Sequence, residues 1–253
     1  MTVNWWDNFF HGVALDFWTA VIPDDLTVAE ARFIHQHLQL PVGAAILDVP
    51  CGNGRLSVKL AAQGFEMTGV DMAEEYINRS QEVAPQVNWR LADMRAVPWT
   101  NEFDGAFCFG NSFGYFDDEE NRAALGSISR SLKAGGRFIL DAPAIAECLL
   151  PNLQPSRSME IAGIKVDVNT RYDAQQRRMF NDFTFTRDGV TDTRPSSQRI
   201  YSHDELRALI DEAGLKTVEE YSSLNGDKFV SGSPRLFVIC EKFRSPTVRE
   251  GSE

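Results

Sequence analysis

Four residues frame the chemistry open to this chain: the carboxylates Asp48 and Asp71, and between them Gly52 and Gly54. Ala45-Ile46-Leu47-Asp48-Val49-Pro50-Cys51-Gly52-Asn53-Gly54-Arg55 is an apolar run that ends in a carboxylate, passes a glycine-bearing turn and opens a helical pattern. Such a strand–turn–helix unit lets a ligand approach bare backbone, because glycine adopts positive φ and carries no Cβ. The helix that follows turns unpaired N–H groups and the positive end of its dipole toward the same place. Asp71 closes a second apolar run roughly 20 residues downstream, where nucleoside-binding α/β folds hold a ribose-reading acid. An ionised carboxylate only accepts hydrogen bonds, which suits a sugar diol. The pattern implies a cofactor that carries a nucleoside.

Other users of this unit fit less well. A P-loop is excluded, because no Gly-Lys-Ser/Thr triplet follows the glycines. The dinucleotide fingerprint read from Gly52 requires glycine at position 57, where the chain has Ser57. An NAD(P)-dependent oxidoreductase is therefore the rival reading. Pro50 stands where a first glycine is usual; it fixes φ and offers no N–H, so Gly52 and Gly54 are expected to make the close approach while Pro50 stiffens the turn.

Several further residues could serve an acceptor. Gly110-Asn111-Ser112-Phe113-Gly114-Tyr115-Phe116 follows an apolar strand at the edge where open α/β sheets bind ligands. Phe113 and Tyr115 there could line an acceptor pocket, with Tyr115 orienting the acceptor, or pack the top of the sheet. Residues 4–18 are dense in aromatics, among them Trp5, Trp6, Phe9, Phe10 and Trp18. They read as a lid whose rings exclude water and favour a cation, or as ordinary packing. Arg171, Tyr172 and Arg199 could bind an acidic group or sit on a solvated sheet face. His203 and His11 are candidate bases, His203 also being a plain first-turn residue. No metal-ligand cluster emerges.

The elements that must hold these residues follow from periodicity. Thr27-x-x-Glu30 reads as a capping box for a helix running to Leu40. Strands are expected to end at Val49, at Val70, at Leu91 and at Phe109, with helices over the face of Leu56 and Leu60, over Glu74–Val83 and over Asp118–Leu132. Gly135-Gly136 should break that last helix before a strand over Arg137–Asp141. Strands alternating with helices at this spacing mean a parallel sheet covered on both faces. After Pro155 the pattern changes to antiparallel runs separated by Asp173-Ala174-Gln175-Gln176 and Arg187-Asp188-Gly189. Ser202-x-x-Glu205 then caps a helix closed by Gly214, and the runs Lys216–Tyr221 and Arg235–Lys242 complete the sheet.

The chain holds 253 residues, 43% of them hydrophobic, with a formal net charge of −11. Such a balance repels nucleic acid and anionic membrane. The four cysteines form no CxxC or zinc spacing, so reduced thiols and a cytoplasmic location are expected. Residues 1–18 carry acids and no basic leader, and read as neither signal peptide nor membrane span.

Taken in order, Leu47-Asp48-Val49-Pro50-Cys51-Gly52-Asn53-Gly54, Gly69-Val70-Asp71, Leu91-Ala92-Asp93-Met94, Phe103-Asp104-Gly105-Ala106-Phe107 and Leu132-Lys133-Ala134-Gly135-Gly136-Arg137 resemble the class I (Rossmann-like) S-adenosylmethionine (SAM) dependent methyltransferase family, small-molecule type. The resemblance implies an α/β fold: a three-layer, doubly wound, seven-stranded sheet of order 3-2-1-4-5-7-6 with strand 7 antiparallel, here with an antiparallel insertion after strand 5. It implies SAM as cofactor and S-adenosyl-L-homocysteine as product. It puts the Gly52–Arg55 backbone against the methionine part, Asp71 on the ribose, Met72 on the adenine ring, Asp93 on the adenine amine and the Met94 N–H on a ring nitrogen. Gly110 would lie beside the methionine carboxylate, and Asp48 would orient the loop or reach the ammonium. Cys51, Asn53, Ala92 and Asn111 complete the implied cofactor set.

The division that follows is residues 1–40 as an aromatic-rich helical segment, 41–155 with 202–243 as the cofactor domain, 156–201 as the insertion and 244–253 as a frayed tail. The expected activity is in-line methyl transfer to nitrogen or oxygen of a small molecule, without nucleic acid or membrane partners and compatible with a homodimer. Phe10, Trp18, Phe113, Tyr115 and Arg171 are the expected acceptor contacts. A non-catalytic SAM-binding protein is the alternative from another class.

Overall fold

The structure is a computed structural model that describes residues 4–243. The tail expected to fray from Arg244 lies outside the described residues. The chain opens with a 3-10 turn, Trp5–Asn8, followed by α1 (Gly12–Ala20) and α2 (Asp24–Leu38). Then come β1 (Ala45–Asp48), α3 (Arg55–Ala61), β2 (Glu66–Asp71), α4 (Glu74–Val83), β3 (Asn88–Leu91), β4 (Phe103–Cys108), α5 (Asp118–Ser131) and β5 (Leu132–Asp141). The short α6 (Ala146–Leu149) leads to β6 (Ser156–Ile161), β7 (Ile164–Asp173), β8 (Arg178–Arg187) and β9 (Val190–Arg199). The chain returns through α7 (His203–Glu212), β10 (Leu215–Tyr221) and β11 (Phe237–Lys242).

Two sheets result. The larger has the order β10-β11-β5-β4-β1-β2-β3, parallel except where β11 runs against both β5 and β10. This is the expected topology, with β11 as the antiparallel strand. Side chains alternate across each strand, so neighbouring residues serve opposite cores. Ile46, Met67, Phe107, Ile139 and Ile239 pack under α2, α3 and α4, while Leu47, Val70, Ala106, Phe138 and Val238 pack under α5 and α7. Near-continuous apolar strands such as β4 follow from burial on both faces.

The smaller sheet is β6-β7-β8-β9, antiparallel throughout. Its inner face, with Ile164, Val166, Val168, Phe183 and Phe185, buries Phe9, Ala14 and Phe17 of the N-terminal segment. The two parts read separately from sequence thus share one core. Arg194 fixes that docking by donating to the carbonyls of Phe9 and His11 at 2.5 and 2.8 Å.

The local expectations fare unevenly. Ser202 and Glu205 form the capping box of α7. Thr27 does not cap: α2 starts earlier, at Asp24, and the Thr27 hydroxyl donates back to Pro23 O within the helix at 3.3 Å. Glu30 is buried and ion-paired instead. Gly135-Gly136 lie inside β5, which begins at Leu132 directly after α5. The insertion has one strand more than the runs suggested, because a turn at Ala162-Gly163 divides β6 from β7.

Candidate functional site

The loop after β1 is held by backbone bonds to its neighbours. Val49 N donates to Phe107 O at 3.0 Å and Cys51 N to Val70 O at 2.8 Å. Gly52 N then donates to Asp71 Oδ2 at 2.8 Å, and Ala73 N to Asp71 Oδ1 at 2.9 Å. Loop and acid, which are separate in sequence, form one wall. Gly52 adopts φ +53°, and a Cβ there would meet open space. Gly54 differs. At φ +70°, its Cβ would stand 2.2 Å from the Trp89 ring, so this glycine makes room for core packing. The expectation that both glycines face a ligand is corrected in this respect.

Asp48 is buried at the end of β1 and accepts a 2.7 Å hydrogen bond from Ser57 Oγ. Among the described residues no cation pairs with it. Burial, aided by the nearby Asp71, pushes its carboxyl up to about 7. Burial raises Asp71 as well, against the backbone donors that lower it. The sign of the resulting pH effect follows. The folded value lies above the unfolded one of about 3.9, so the fold holds the extra proton and stability falls as pH climbs from about 4 to about 7. Asp48→Asn, neutral at every pH, is expected to gain stability relative to the wild type between about pH 5 and about pH 8. Urea unfolding of both proteins at the two pH values checks this; a difference independent of pH would sink it.

Around this wall lies a cavity of about 320 Å³. Asp48, Cys51, Gly52, Asn53, Arg55, Asp71, Met72, Ala92, Met94, Gly110 and Asn111 all reach it. Arg55 is fixed to Glu30 at 2.6 Å, Glu30 to Arg235 at 3.3 Å, and Arg235 to Asp141 at 2.7 Å. Asp141 in turn accepts the Gly110 N–H at 3.0 Å. This chain of charges ties the glycine loop to the exit of β4.

Asp93 does not reach the cavity. Its carboxylate caps a 3-10 turn by accepting Arg95 N at 2.8 Å and pairs with the Arg95 guanidinium at 2.6 Å. Of the acceptor candidates, Phe10, Trp18 and Tyr115 line the cavity. Phe113 is buried in the core and stacks on Tyr201. Arg171 lies over the Phe180 ring, 3.9 Å from its centroid, on the other phase of the small sheet. His203 is bound to Glu220 at 2.8 Å and packs on Phe229, away from the cavity wall. It is the first residue of α7, after the Ser202 cap, and does not line the cavity. Arg199 is occupied by Asp118 at 2.9 Å and by Glu205 at 3.6 Å.

The N-terminal aromatics Trp5, Trp6, Phe9, Phe10 and Trp18 line the cavity, and Phe9 also packs into the core of the small sheet. Trp5 meets Tyr115 edge-on at 4.7 Å, and Trp6 meets Phe116 at 4.9 Å. The indole nitrogens of Trp5, Trp6 and Trp18 are buried without an acceptor among the described residues. The insertion, which the sequence offered as a wall of the acceptor pocket, as a dimer surface or as both, does reach the cavity; sequence reasoning missed Tyr76 and the insertion residues that line it, Arg157, Met179, Asn181, Phe183, Ser196 and Gln198. One signal existed: Asn181 falls on the buried phase of β8, between Met179 and Phe183. A second cavity of about 220 Å³ adjoins the first, sharing Asn111, Arg157, Met179 and Asn181.

Comparison with known proteins adds the following. Residues 46–136 match a family described as "Methyltransferase domain". Glycine N-methyltransferase of Rattus norvegicus is 33% identical over 115 residues, covering 38% of this chain and 39% of that protein. The chain thus spans about two fifths of the length of that curated relative. The CcbJ methyltransferase from Streptomyces caelestis superposes with a TM-score of 0.80 at 16% identity, over 94% of this chain and 99% of that one. The sugar N-methyltransferase KedS8 from Streptoalloteichus sp ATCC 53650 gives a TM-score of 0.70 at 16% identity, over 92% and 94%. Likeness at that level of identity concerns the fold.

Proposed function

We propose, on the premise that this chain carries a class I S-adenosylmethionine-dependent methyltransferase domain, that it methylates a nitrogen of a small molecule. One observation carries the reading: the bare Gly52 backbone, the Asp71 carboxylate and the unpaired buried Asp48 carboxylate meet on one cavity wall. These residues fit the cofactor. Open space at Gly52 admits its amino-acid end, Asp48 lacks a cation that an ammonium supplies, and Asp71 keeps acceptor capacity for a diol.

When bound, SAM supplies a methyl group already activated by a cationic sulfur. The chain's own residues need only hold and align. Backbone at Gly52–Arg55 would bind the amino-acid part, and Met72 would lie against adenine. The rings of Trp5, Phe10 and Tyr115 exclude water from the reacting centre and present π-faces that favour a cation. Alignment of this kind is worth effective molarities of about 10⁵–10⁸ M.

Nitrogen rather than hydroxyl attack is favoured because, among the described residues, the acids that line the cavity are Asp48 and Asp71 on the cofactor wall, and the acceptor side offers no evident base. Burial raises the Tyr115 phenol, so it keeps its proton and can donate a hydrogen bond. His203 lies elsewhere. A neutral amine can attack without general-base help, whereas an alcohol is poorly nucleophilic while protonated. The reading is tested by calorimetry with S-adenosylhomocysteine and NAD, followed by assay of S-adenosylhomocysteine release over a panel of amines. Binding of the first ligand, none of NAD, and amine-dependent release are expected. NAD binding, or a lack of release with every amine, counts against it; in the second case a non-catalytic binding role takes its place.

A further inference from the structure

We propose that the acceptor carries a carboxylate, or a like singly charged oxyanion, and that Arg157 binds it; the inference rests on the methyltransferase reading and names the substrate class. Residues 156–201 hold seven arginines, and six are engaged. Arg171 lies on Phe180, Arg177 on Glu205, and Arg187 on Asp16. Arg178 donates to the carbonyls of Tyr115 and Phe116, Arg194 pairs with Asp192, and Arg199 pairs with Asp118. Arg157 alone among them has no side-chain hydrogen bond, ion pair or ring contact among the described residues, and it lines both cavities.

The rest of that wall asks for the same ligand chemistry. The acids that reach the larger cavity are Asp48 and Asp71, both at the cofactor side, and no acid lines the smaller one. Around Arg157 the polar groups are neutral: Asn111, Thr170, Asn181 and Ser197. Thr170 Oγ1 donates to Asn181 Oδ1 at 2.7 Å, and the Asn181 amide N–H donates to Ser196 Oγ at 3.4 Å. In a chain of net charge −11, a lone guanidinium at a cavity mouth is a local positive focus for a small anion. Its planar fork matches a carboxylate with two parallel hydrogen bonds.

The test uses the full chain saturated with S-adenosylhomocysteine, whose own binding is measured first. Benzoate, benzamide and phenyl phosphate are then titrated by tryptophan fluorescence, because Trp5, Trp6 and Trp18 border the cavity. Benzoate is expected to bind at least about tenfold more tightly than benzamide, and Arg157→Gln to erase that preference while leaving S-adenosylhomocysteine affinity unchanged. Equal binding of benzoate and benzamide, a preference that survives in Arg157→Gln, tighter binding of phenyl phosphate than of benzoate, or no binding of any probe at millimolar concentration overturns the inference. Failure of S-adenosylhomocysteine to bind would instead sink the methyltransferase reading itself.

Discussion

Asp71→Ala is expected to lower S-adenosylhomocysteine affinity by about two orders of magnitude or more. Each hydrogen bond from a hydroxyl to a charged acceptor is worth about 1.5–3 kcal/mol, and a ribose diol would make two. The substitution also releases the Gly52 N–H, so the loop proposed to face the cofactor's amino-acid end loses its anchor at the same stroke. Both effects act in one direction. The fold should survive, because the released Gly52 and Ala73 amides lie beside a cavity that water can enter. Calorimetry gives the affinity and circular dichroism the fold. A folded variant that binds as tightly as the wild type would remove Asp71 from the site.

The two glycines of the loop are expected to fail in different ways. Gly54→Ala drives a methyl group to 2.2 Å from the Trp89 ring at a backbone φ of +70°. Overpacking costs about 1–3 kcal/mol and left-handed backbone about 1–2 more. Trp89 cannot easily step aside. It is buried, its Nε1 is held by Ala84 O at 2.9 Å, and a Cβ on Gly69 would stand 2.4 Å away from the same ring. A loss of roughly 2–5 kcal/mol should lower the midpoint of thermal unfolding by roughly 5–15 °C in a chain of this size. Gly52→Ala carries the backbone strain alone, since its Cβ meets open space, and should lose cofactor affinity more than stability. Thermal melts of both variants, beside titrations with S-adenosylhomocysteine, separate the roles. Equal melting temperatures would contradict the packing role of Gly54.

Much of the cofactor side was legible because its parts are local. A strand end, a glycine turn and a helix start are adjacent in the chain, so periodicity and residue type suffice to find them. The same locality explains the errors. Asp93 has the right position by resemblance, yet its carboxylate closes a short turn onto Arg95, two residues away. Phe113 and Arg171 have suitable side chains, but strand phase and packing turn one into the core and the other onto Phe180. His203 is a helix-start residue, and the capping box that announced it already spoke against a catalytic place.

By itself, the sequence determined the doubly wound sheet and the wall where Asp48, Gly52 and Asp71 meet, since hydrophobic period and turn chemistry act over a few residues at a time. Only tertiary structure decided the rest of the cavity. Trp5, Phe10 and Trp18 come from one end of the chain, while Arg157, Asn181 and Gln198 come from the insertion. They come together because Phe9 and Phe17 bury themselves against Val166, Phe183 and Phe185, and Arg194 clasps the carbonyls of Phe9 and His11. Contacts between segments so far apart in sequence follow from burial of two apolar faces against each other, which no local pattern encodes.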